Sequence, residues 1–255
     1  LSMRKYNEVI SEANKIVPAA APFIAPTGVA HQLEVDIANV FKTPYTSAES
    51  ILSMPFSNNS ADVAGTQNQL GIYFYNSGSI GAAEFALNPE GIIANTSWSA
   101  TDSRRNFIFT NTNQTSANYQ KKFLSKYPSP SPYLDYVPVI RYAEVLLNLA
   151  EAKTRVTNAV DGQAVALLSA VRRRSDPAMV FTEADFSSAE ALLQAILLER
   201  RIEFLGEGLR NIDIMRLGLD LPARPGGQAI SPGQPGYIFP ISNNELIFNN
   251  LMTDN

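Results

Sequence analysis

Residues 196–218, ILLERRIEFLGEGLRNIDIMRLG, decide the fold because they concentrate charged side chains at helical spacing in a sparsely charged chain. Residues three or four positions apart lie on one face of a helix. Arg200 can therefore reach Glu203 or Glu207, Glu207 can reach Arg210, and Asp213 can reach Arg216. Apolar residues occupy the positions between these charges. The pattern predicts a helix buried between layers, whose ion pairs extend to other segments.

The same stretch resembles the signature of the SusD/RagB family, which are surface lipoproteins of Bacteroidetes that capture nutrients beside a TonB-dependent transporter. The resemblance lies in the order E-R-R-x-E-F-x-x-E-G-x-R-x-x-D-x-x-R, from Glu199 to Arg216. Three further segments resemble family elements in order and spacing: D-x-R-R at 102–105, PVIRYAEVLLNLAEA at 138–152 and YIFPISNNEL at 237–246. The match is good from residue 102 onward and loose before it.

The resemblance implies both a fold and a function. We expect a mostly α, SusD-like fold, with tetratricopeptide-like helix pairs and a loop-rich portion that contains a few short strands. The implied function is non-catalytic binding of a nutrient, an oligosaccharide above all, at the cell surface for delivery to a SusC-like TonB-dependent transporter. A lipid anchor upstream of this fragment would hold the protein on the outer membrane, and the fragment itself is expected to be soluble. In the family the motif charges form the architectural core, so we predict a structural ion-pair network of Arg141, Glu144, Glu199, Arg200, Glu203, Glu207, Arg210, Asp213 and Arg216.

Apolar spacing divides the chain into three portions. Residues 1–26 are expected to form a helix and a linker that belong to the helical layer, residues 27–135 a loop-rich portion, and residues 136–255 a helical C-terminal region with a surface tail. The predicted helices are Met3–Val17, Val139–Lys153, Gln163–Arg174 and a long helix from Ala189, capped by Ser188, that is interrupted at Gly206 and Gly208.

Composition excludes several classes of function. Charged residues make up 17% of the chain, below the roughly 25% of ordinary soluble proteins, and the net charge of −4 gives no electrostatic basis for nucleic-acid binding. The chain has no cysteine, which excludes disulfides, thiol catalysis and cysteine-based zinc sites. No apolar run approaches the ~20 residues that span a bilayer. Neither a cofactor nor a metal site is expected.

Glu199, Glu203 and Glu207 lie one helical turn apart, and paired carboxylates are what glycoside hydrolases use. A carboxylate beside an arginine has a lowered pKa, however, whereas a general acid needs a raised one. A structural role is therefore the preferred interpretation. His31 is the only histidine and is interpreted as an ordinary loop or core residue, while the basic triplet at 172–174 complements a helix C-terminus.

Aromatic residues in polar loops are the candidate ligand contacts, because a sugar ring stacks its apolar face on an exposed aromatic ring. Trp98 lies in a polar context that does not resemble core, and Tyr73 and Tyr75 share one face if residues 70–75 form a strand. The predicted ligand-binding residues are Trp98, Tyr73, Tyr75, Asn76, Asn95 and Arg105. Three alternatives remain open: a peptide-binding relative of the same architecture, a helical scaffold without a small ligand, and a hydrolase.

Overall fold

The computed structural model is mostly helical. It describes residues 1–58, 70–75, 85–129, 133–224, 226–249 and 251–253. These form seven α-helices: α1 Tyr6–Ala13, α2 Leu70–Phe74, α3 Tyr142–Thr157, α4 Gly162–Ser175, α5 Ala189–Glu203, α6 Leu209–Leu217 and α7 Asn243–Phe248. Four short strands complete the regular structure: β1 Ser50–Met54, β2 Ile108–Thr110, β3 Lys122–Leu124 and β4 Val137–Arg141. The predicted mostly α fold class is confirmed.

The chain divides into two compact units. Unit 1 consists of Leu1 and Lys5–Glu207, and unit 2 consists of Ser2–Arg4 and Gly208–Asn255. This boundary between Glu207 and Gly208 coincides with neither predicted boundary, after residue 26 or after residue 135. The three predicted portions follow apolar spacing and remain a prediction. No helix in the described ranges combines the length and the apolar character that crossing a membrane requires.

The core of unit 1 is a layer of helices in which α3 packs against α1, α4 and α5. The buried side chains include Leu146, Leu147, Ala150, Leu167, Leu168, Val171, Leu192 and Ile196. Asp161 caps α4 by accepting a hydrogen bond from the Ala164 N–H at 2.8 Å, and Ser188 caps α5 as predicted. The α3–turn–α4 pair has the expected tetratricopeptide-like form, and the Tyr142 hydroxyl ties α3 to the segment after α1 by donating to the Ile16 carbonyl.

Helix α3 begins three residues later than predicted. Val139 and Ile140, which were expected on its inner face, belong to β4 and are 42% and 38% exposed. Two facts explain the difference. Pro138 disfavours helical backbone before it and removes an N–H, and β4 pairs with β1 in an antiparallel ladder. Helix α1 is likewise shorter than the predicted Met3–Val17, although it does lie against α3.

Residues 70–74 form helix α2, so the predicted strand is wrong. A short apolar run fits either element, and packing decides between them. Here Phe74 packs against Phe85 and Tyr127, with ring centroids 6.0 and 6.3 Å apart. Gly71 is buried so closely against Tyr133 that an added Cβ would lie 3.0 Å from the Tyr133 ring. Tyr73 and Tyr75 therefore do not share the face of a strand.

A second core lies beneath the strand pair β2–β3. Phe41 meets Phe107 and Tyr127 edge-on, with centroid distances of 5.6 and 5.9 Å, and Leu124 is buried beside them. Strand β2 pairs with β3 in antiparallel orientation from Ile108↔Leu124 to Thr110↔Lys122. This pair and the loop before it carry the residues discussed next.

Candidate ligand-binding site and its buried ionic frame

Most of the motif charges in unit 1 meet in one buried cluster, which we call the ionic cluster. Its cationic members are Arg104, Lys126, Arg141, Arg172 and Arg174, and its carboxylates are Glu49, Asp102, Glu199, Glu203 and Glu207. All ten side chains are at most 4% exposed. Five formal positive charges therefore balance five negative ones, which is the condition under which buried charges are tolerated.

Glu203 lies at the centre of the ionic cluster. Its Oε1 accepts from Arg141 Nη1 at 2.9 Å and from Arg174 Nη2 at 2.5 Å, and its Oε2 accepts from Arg104 Nη1 at 2.9 Å. Burial alone would raise the pKa of this carboxyl, but the guanidiniums of Arg174, Arg141 and Arg104 outweigh burial and hold its pKa well below the usual range. Glu203 therefore stays ionised and has no proton to deliver as a general acid.

Glu207 is held in the same way. Arg141 contacts both carboxylate oxygens through Nε and Nη2, at 2.8 and 3.0 Å, and Lys126 Nζ donates to Oε1 at 2.6 Å. Burial opposes ionisation, yet Arg141 and Lys126 lower the pKa of Glu207. Lys126 also donates to the Glu203 carbonyl at 2.8 Å, which satisfies a free carbonyl at the end of α5.

The third glutamate of the motif, Glu199, joins the helices to the D-x-R-R element. Arg104 Nη1 and Arg172 Nε donate to its two oxygens, each at 2.5 Å. Arg104 is also held by Asp102, whose carboxylate accepts from Arg104 Nη2 at 2.6 Å. Burial would raise the pKa of Asp102, and the bonds from Arg104 lower it instead. Each motif glutamate thus faces guanidinium groups within the protein.

The other predicted network residues have the following contacts and surroundings. Arg200 donates to Asn148 Oδ1 at 2.5 Å, and burial raises the pKa of Glu144. In unit 2, Arg216 Nε donates to Asp213 Oδ1 at 2.9 Å, the i,i+3 pair that the spacing predicts, and Arg210 lies on the same helix, α6. The sequence thus locates the charged helices and the Asp213–Arg216 pair.

Several cluster members were missed by sequence reasoning. Arg172 and Arg174 were interpreted only as helix-terminal charges, yet both bind carboxylates of the cluster. Glu49 accepts from Arg141 and, at 2.9 Å, from Arg174 Nη1. No motif identifies Glu49 or Lys126, since each lies in a loop-rich region. Arg104 could have been found from the D-x-R-R element alone.

Trp98 is 2% exposed, which corrects the expectation that its indole lies outside the core. Arg105 packs over this ring, with Cζ 4.5 Å from the centroid. The same guanidinium donates to the carbonyls of Ser99, Ile93 and Trp98, at 2.8, 3.1 and 2.5 Å. Arg105 and Trp98 thereby fix the loop 92–99, and a buried indole offers no open face for stacking a sugar.

The remaining candidate contacts are distributed along the edge of the β2–β3 region. Tyr73 packs against Phe85 and Tyr75 against Phe109, with centroid distances of 5.3 and 5.6 Å. Phe85 is 52% exposed, so an aromatic surface is present here. Asn95 accepts a hydrogen bond from the Ser97 N–H and stabilises the same loop as Arg105. Asn76 lies outside the described residues.

A pocket of about 290 Å³ opens beside this loop, and we call it the 89–122 pocket. It is lined by Pro89, Ile93, Arg105, Ile108 and Lys122. The loop before it is fixed to β3, because the Leu87 N–H donates to the Lys122 carbonyl at 2.8 Å. The pocket shares Arg105 with the predicted site, so it is a candidate for ligand contact.

Among the residues that the structure describes, no group of three or more His, Asp or Glu side chains is arranged to hold a metal ion. His31 lies half-buried in a loop, where its Nδ1 is 3.0 Å from the Ala48 carbonyl and its ring stacks near Tyr142 at 6.5 Å.

Comparisons with known proteins agree with this architecture. The chain aligns over 98% of its length with a SusD superfamily protein from Bacteroides fragilis, at 30% identity and a TM-score of 0.75. It aligns over its whole length with surface glycan-binding protein A from Bacteroides thetaiotaomicron in complex with laminarihexaose, at 22% identity and a TM-score of 0.72. A SusD-like carbohydrate binding protein from Bacteroides vulgatus aligns over 97% of the chain, at 18% identity and a TM-score of 0.70.

This chain covers 52%, 60% and 55% of those three proteins, so it spans a little over half of their length. No curated protein sequence matches it significantly. The sequence profile of the SusD family matches residues 94–255, the part that contains all four motifs. The chain therefore belongs to the SusD family.

Proposed function

We propose that this chain is the binding portion of a cell-surface nutrient-capture protein, which holds an oligosaccharide and passes it to a SusC-like TonB-dependent transporter. On the family pattern, a lipid anchor in the full-length protein keeps it at the outer membrane. Binding uses stacking and hydrogen bonds, and no bond of the ligand is broken. The ligand contacts come from Tyr73, Tyr75, Asn76, Asn95 and Arg105, with Trp98 holding Arg105 in position.

One observation carries the proposal: the chain belongs to the SusD family, and the three glutamates of its main motif are buried on arginines in the ionic cluster. We therefore assign ligand contact to residues outside the cluster. The glutamates that would serve a hydrolase are buried, ionised and bound to guanidiniums. A structural relative, surface glycan-binding protein A, is described in complex with laminarihexaose, which favours a saccharide as the ligand class. Fold similarity at 22% identity supports the architecture, and the ligand must be identified by experiment because a fold does not determine its ligand.

Isothermal titration of the 255-residue chain against panels of oligosaccharides and peptides tests the proposal. We expect saturable binding of at least one oligosaccharide without release of products. Binding of peptides only would favour the peptide-binding relative, and binding of neither would favour the scaffold. The variant Glu203→Gln tests the hydrolase alternative. If Glu203 is catalytic, the variant should fold normally and lose turnover. If Glu203 is structural, as we propose, the variant should have a destabilised fold.

A further inference from the structure

The 89–122 pocket combines two cations with an apolar wall. Arg105 and Lys122 supply the positive charges, and Pro89, Ile93 and Ile108 supply the apolar surface. No carboxylate is among these lining residues. A pocket with this lining attracts a negative charge and also accepts a hydrocarbon surface.

Neither cation is neutralised within the described part of the chain. The three hydrogen bonds of Arg105 go to backbone carbonyls, and Lys122 Nζ donates to Thr110 Oγ1 at 3.2 Å. A guanidinium has five N–H donors and an ammonium has three, so each side chain retains two donors for a ligand. Arg104, the preceding residue, is by contrast bonded to three carboxylates.

The position of the Arg105 guanidinium is fixed before any ligand arrives. Three carbonyls hold its nitrogens and the Trp98 ring covers it at 4.5 Å, so little side-chain entropy remains to be lost on binding. Hydrogen bonds from a charged donor to an anion are stronger than those between neutral groups. Arg105 is therefore placed to recognise a carboxylate or a sulfate rather than a hydroxyl alone.

We infer that the 89–122 pocket binds the anionic unit of an acidic oligosaccharide, one that carries a carboxylate or a sulfate ester. Arg105 and Lys122 bind the anionic group, and the apolar wall of Pro89, Ile93 and Ile108 contacts the C–H face of the same sugar unit. The volume of about 290 Å³ lies near the lower end of ligand pockets, roughly 300 Å³, so one unit enters and the rest of the chain extends outside. This inference rests on the proposed function and specifies its substrate class.

The test compares three saccharides by isothermal titration: trigalacturonate for carboxylate, a sulfated carrageenan tetrasaccharide for sulfate ester, and laminarihexaose as the neutral probe. Tetraglutamate is the acidic peptide probe. We expect an acidic probe to bind more tightly than laminarihexaose. Its affinity should fall as NaCl rises, because exposed charge interactions are screened. The stronger of the two acidic probes identifies the anionic group.

Lys122→Gln is the decisive variant, because Lys122 is exposed and its loss leaves the strand pairing intact. We expect its affinity for the acidic probe to fall about fivefold, the upper range for an exposed charge pair. Lys121→Gln is the matched control, since it removes the same charge from the adjacent exposed residue, whose Nζ bonds to Asn118 outside the pocket. Lys121→Gln should bind nearly as tightly as the unmodified chain.

Three outcomes would overturn the inference. Equal binding of neutral and acidic probes, with no effect of Lys122→Gln, would reject the acidic ligand and leave the proposed function standing. Equal losses in Lys122→Gln and Lys121→Gln would mean that net charge, and not the pocket, attracts the probe. Binding of tetraglutamate with no binding of any saccharide would reject both the inference and the proposed function.

Discussion

Arg104 and Arg105 are adjacent in the chain, yet Arg104 Nη1 donates to the carboxylate of Glu199 at 2.5 Å while Arg105 Nη2 donates to the carbonyl of Trp98 at the same distance. Arg104 is 2% exposed and its positive charge is neutralised by carboxylates. Arg105 is bonded by neutral oxygens and borders a pocket. One short element thus supplies a structural cation and a candidate ligand contact, because successive side chains leave the backbone in different directions.

Glu203→Gln tests the ionic cluster. The substitution keeps the shape of the side chain but removes the negative charge that faces Arg104, Arg141 and Arg174. Removing one partner from a buried ion pair costs about 3–5 kcal/mol, so we expect a loss of this size in the free energy of unfolding. Urea unfolding followed by circular dichroism measures it. Glu12→Gln, which removes an exposed ion pair with Lys15, serves as the control and should change little.

Acidification should destabilise the protein through the same carboxyls. Arginines hold the pKa values of Glu203 and Glu207 below the ordinary value of 4.5, so the folded state binds fewer protons than the unfolded chain. Their stabilisation is complete above pH 4.5 and is lost as the pH falls through the folded-state pKa values. We expect the free energy of unfolding, measured by urea titration at pH 7, 5, 4 and 3, to decline below pH 4.5.

Glu144 supplies an internal comparison for this pH dependence. Burial raises its pKa, so its contribution has the opposite sign and favours the folded state as the pH falls toward 4.5. As the pH is lowered from 7 to about 4.5, the free energy of unfolding should therefore rise less in Glu144→Gln than in the unmodified chain. An identical pH profile in the two proteins would contradict the assignment.

Two glycines between α5 and α6 provide a matched pair for backbone strain. Gly206 and Gly208 have φ values of +80° and +81°, where any other residue is strained. An added Cβ at Gly206 would also lie 2.2 Å from Leu124 Cδ2, whereas at Gly208 it meets nothing within 4 Å. We expect Gly208→Ala to cost about 1–2 kcal/mol and Gly206→Ala about 2–4 kcal/mol. Equal losses in thermal or urea unfolding would exclude the steric contribution.

Trp98 is the only tryptophan, so intrinsic fluorescence reports on its environment without labelling. Because the ring is buried and covered by Arg105, the native emission should lie at shorter wavelength than that of the unfolded chain, and iodide should quench it weakly. An indole exposed for stacking would be quenched strongly. Trp98→Phe should keep most of the stability, since the described residues offer the indole N–H no acceptor.

The helices were predictable from the sequence because their signals are local. Ser188 and the apolar spacing after it fix the start of α5, and the glycines at 206 and 208 fix the break before α6. The start of α3 was predicted wrongly, because long-range pairing of β4 with β1 overrides the helical pattern at Val139 and Ile140. For the same reason residues 70–75 could not be assigned, since a contact with Phe85 and Tyr127 selects the helix.

The partners of the buried charges were much less predictable. The pattern predicted that ion pairs of this helix extend to other segments, but it did not identify those segments; Glu203 binds arginines at positions 104, 141 and 174. Only the three-dimensional arrangement brings these together. The burial of Trp98 was missed for a related reason: its neighbours are polar, and their carbonyls bind Arg105 instead of water.

The ionic cluster also limits when unit 1 can finish folding during its synthesis. Its members come from six separate segments, the first at Glu49 and the last at residues 199–207. Contacts so distant in sequence form late, because the loops between them must first be closed. While a ribosome is still translating α4, the glutamates at 199, 203 and 207 have not been made, so Arg104, Arg141 and Arg172 lack these partners. Emergence of Glu207 from the exit tunnel is therefore the event after which unit 1 can complete its fold.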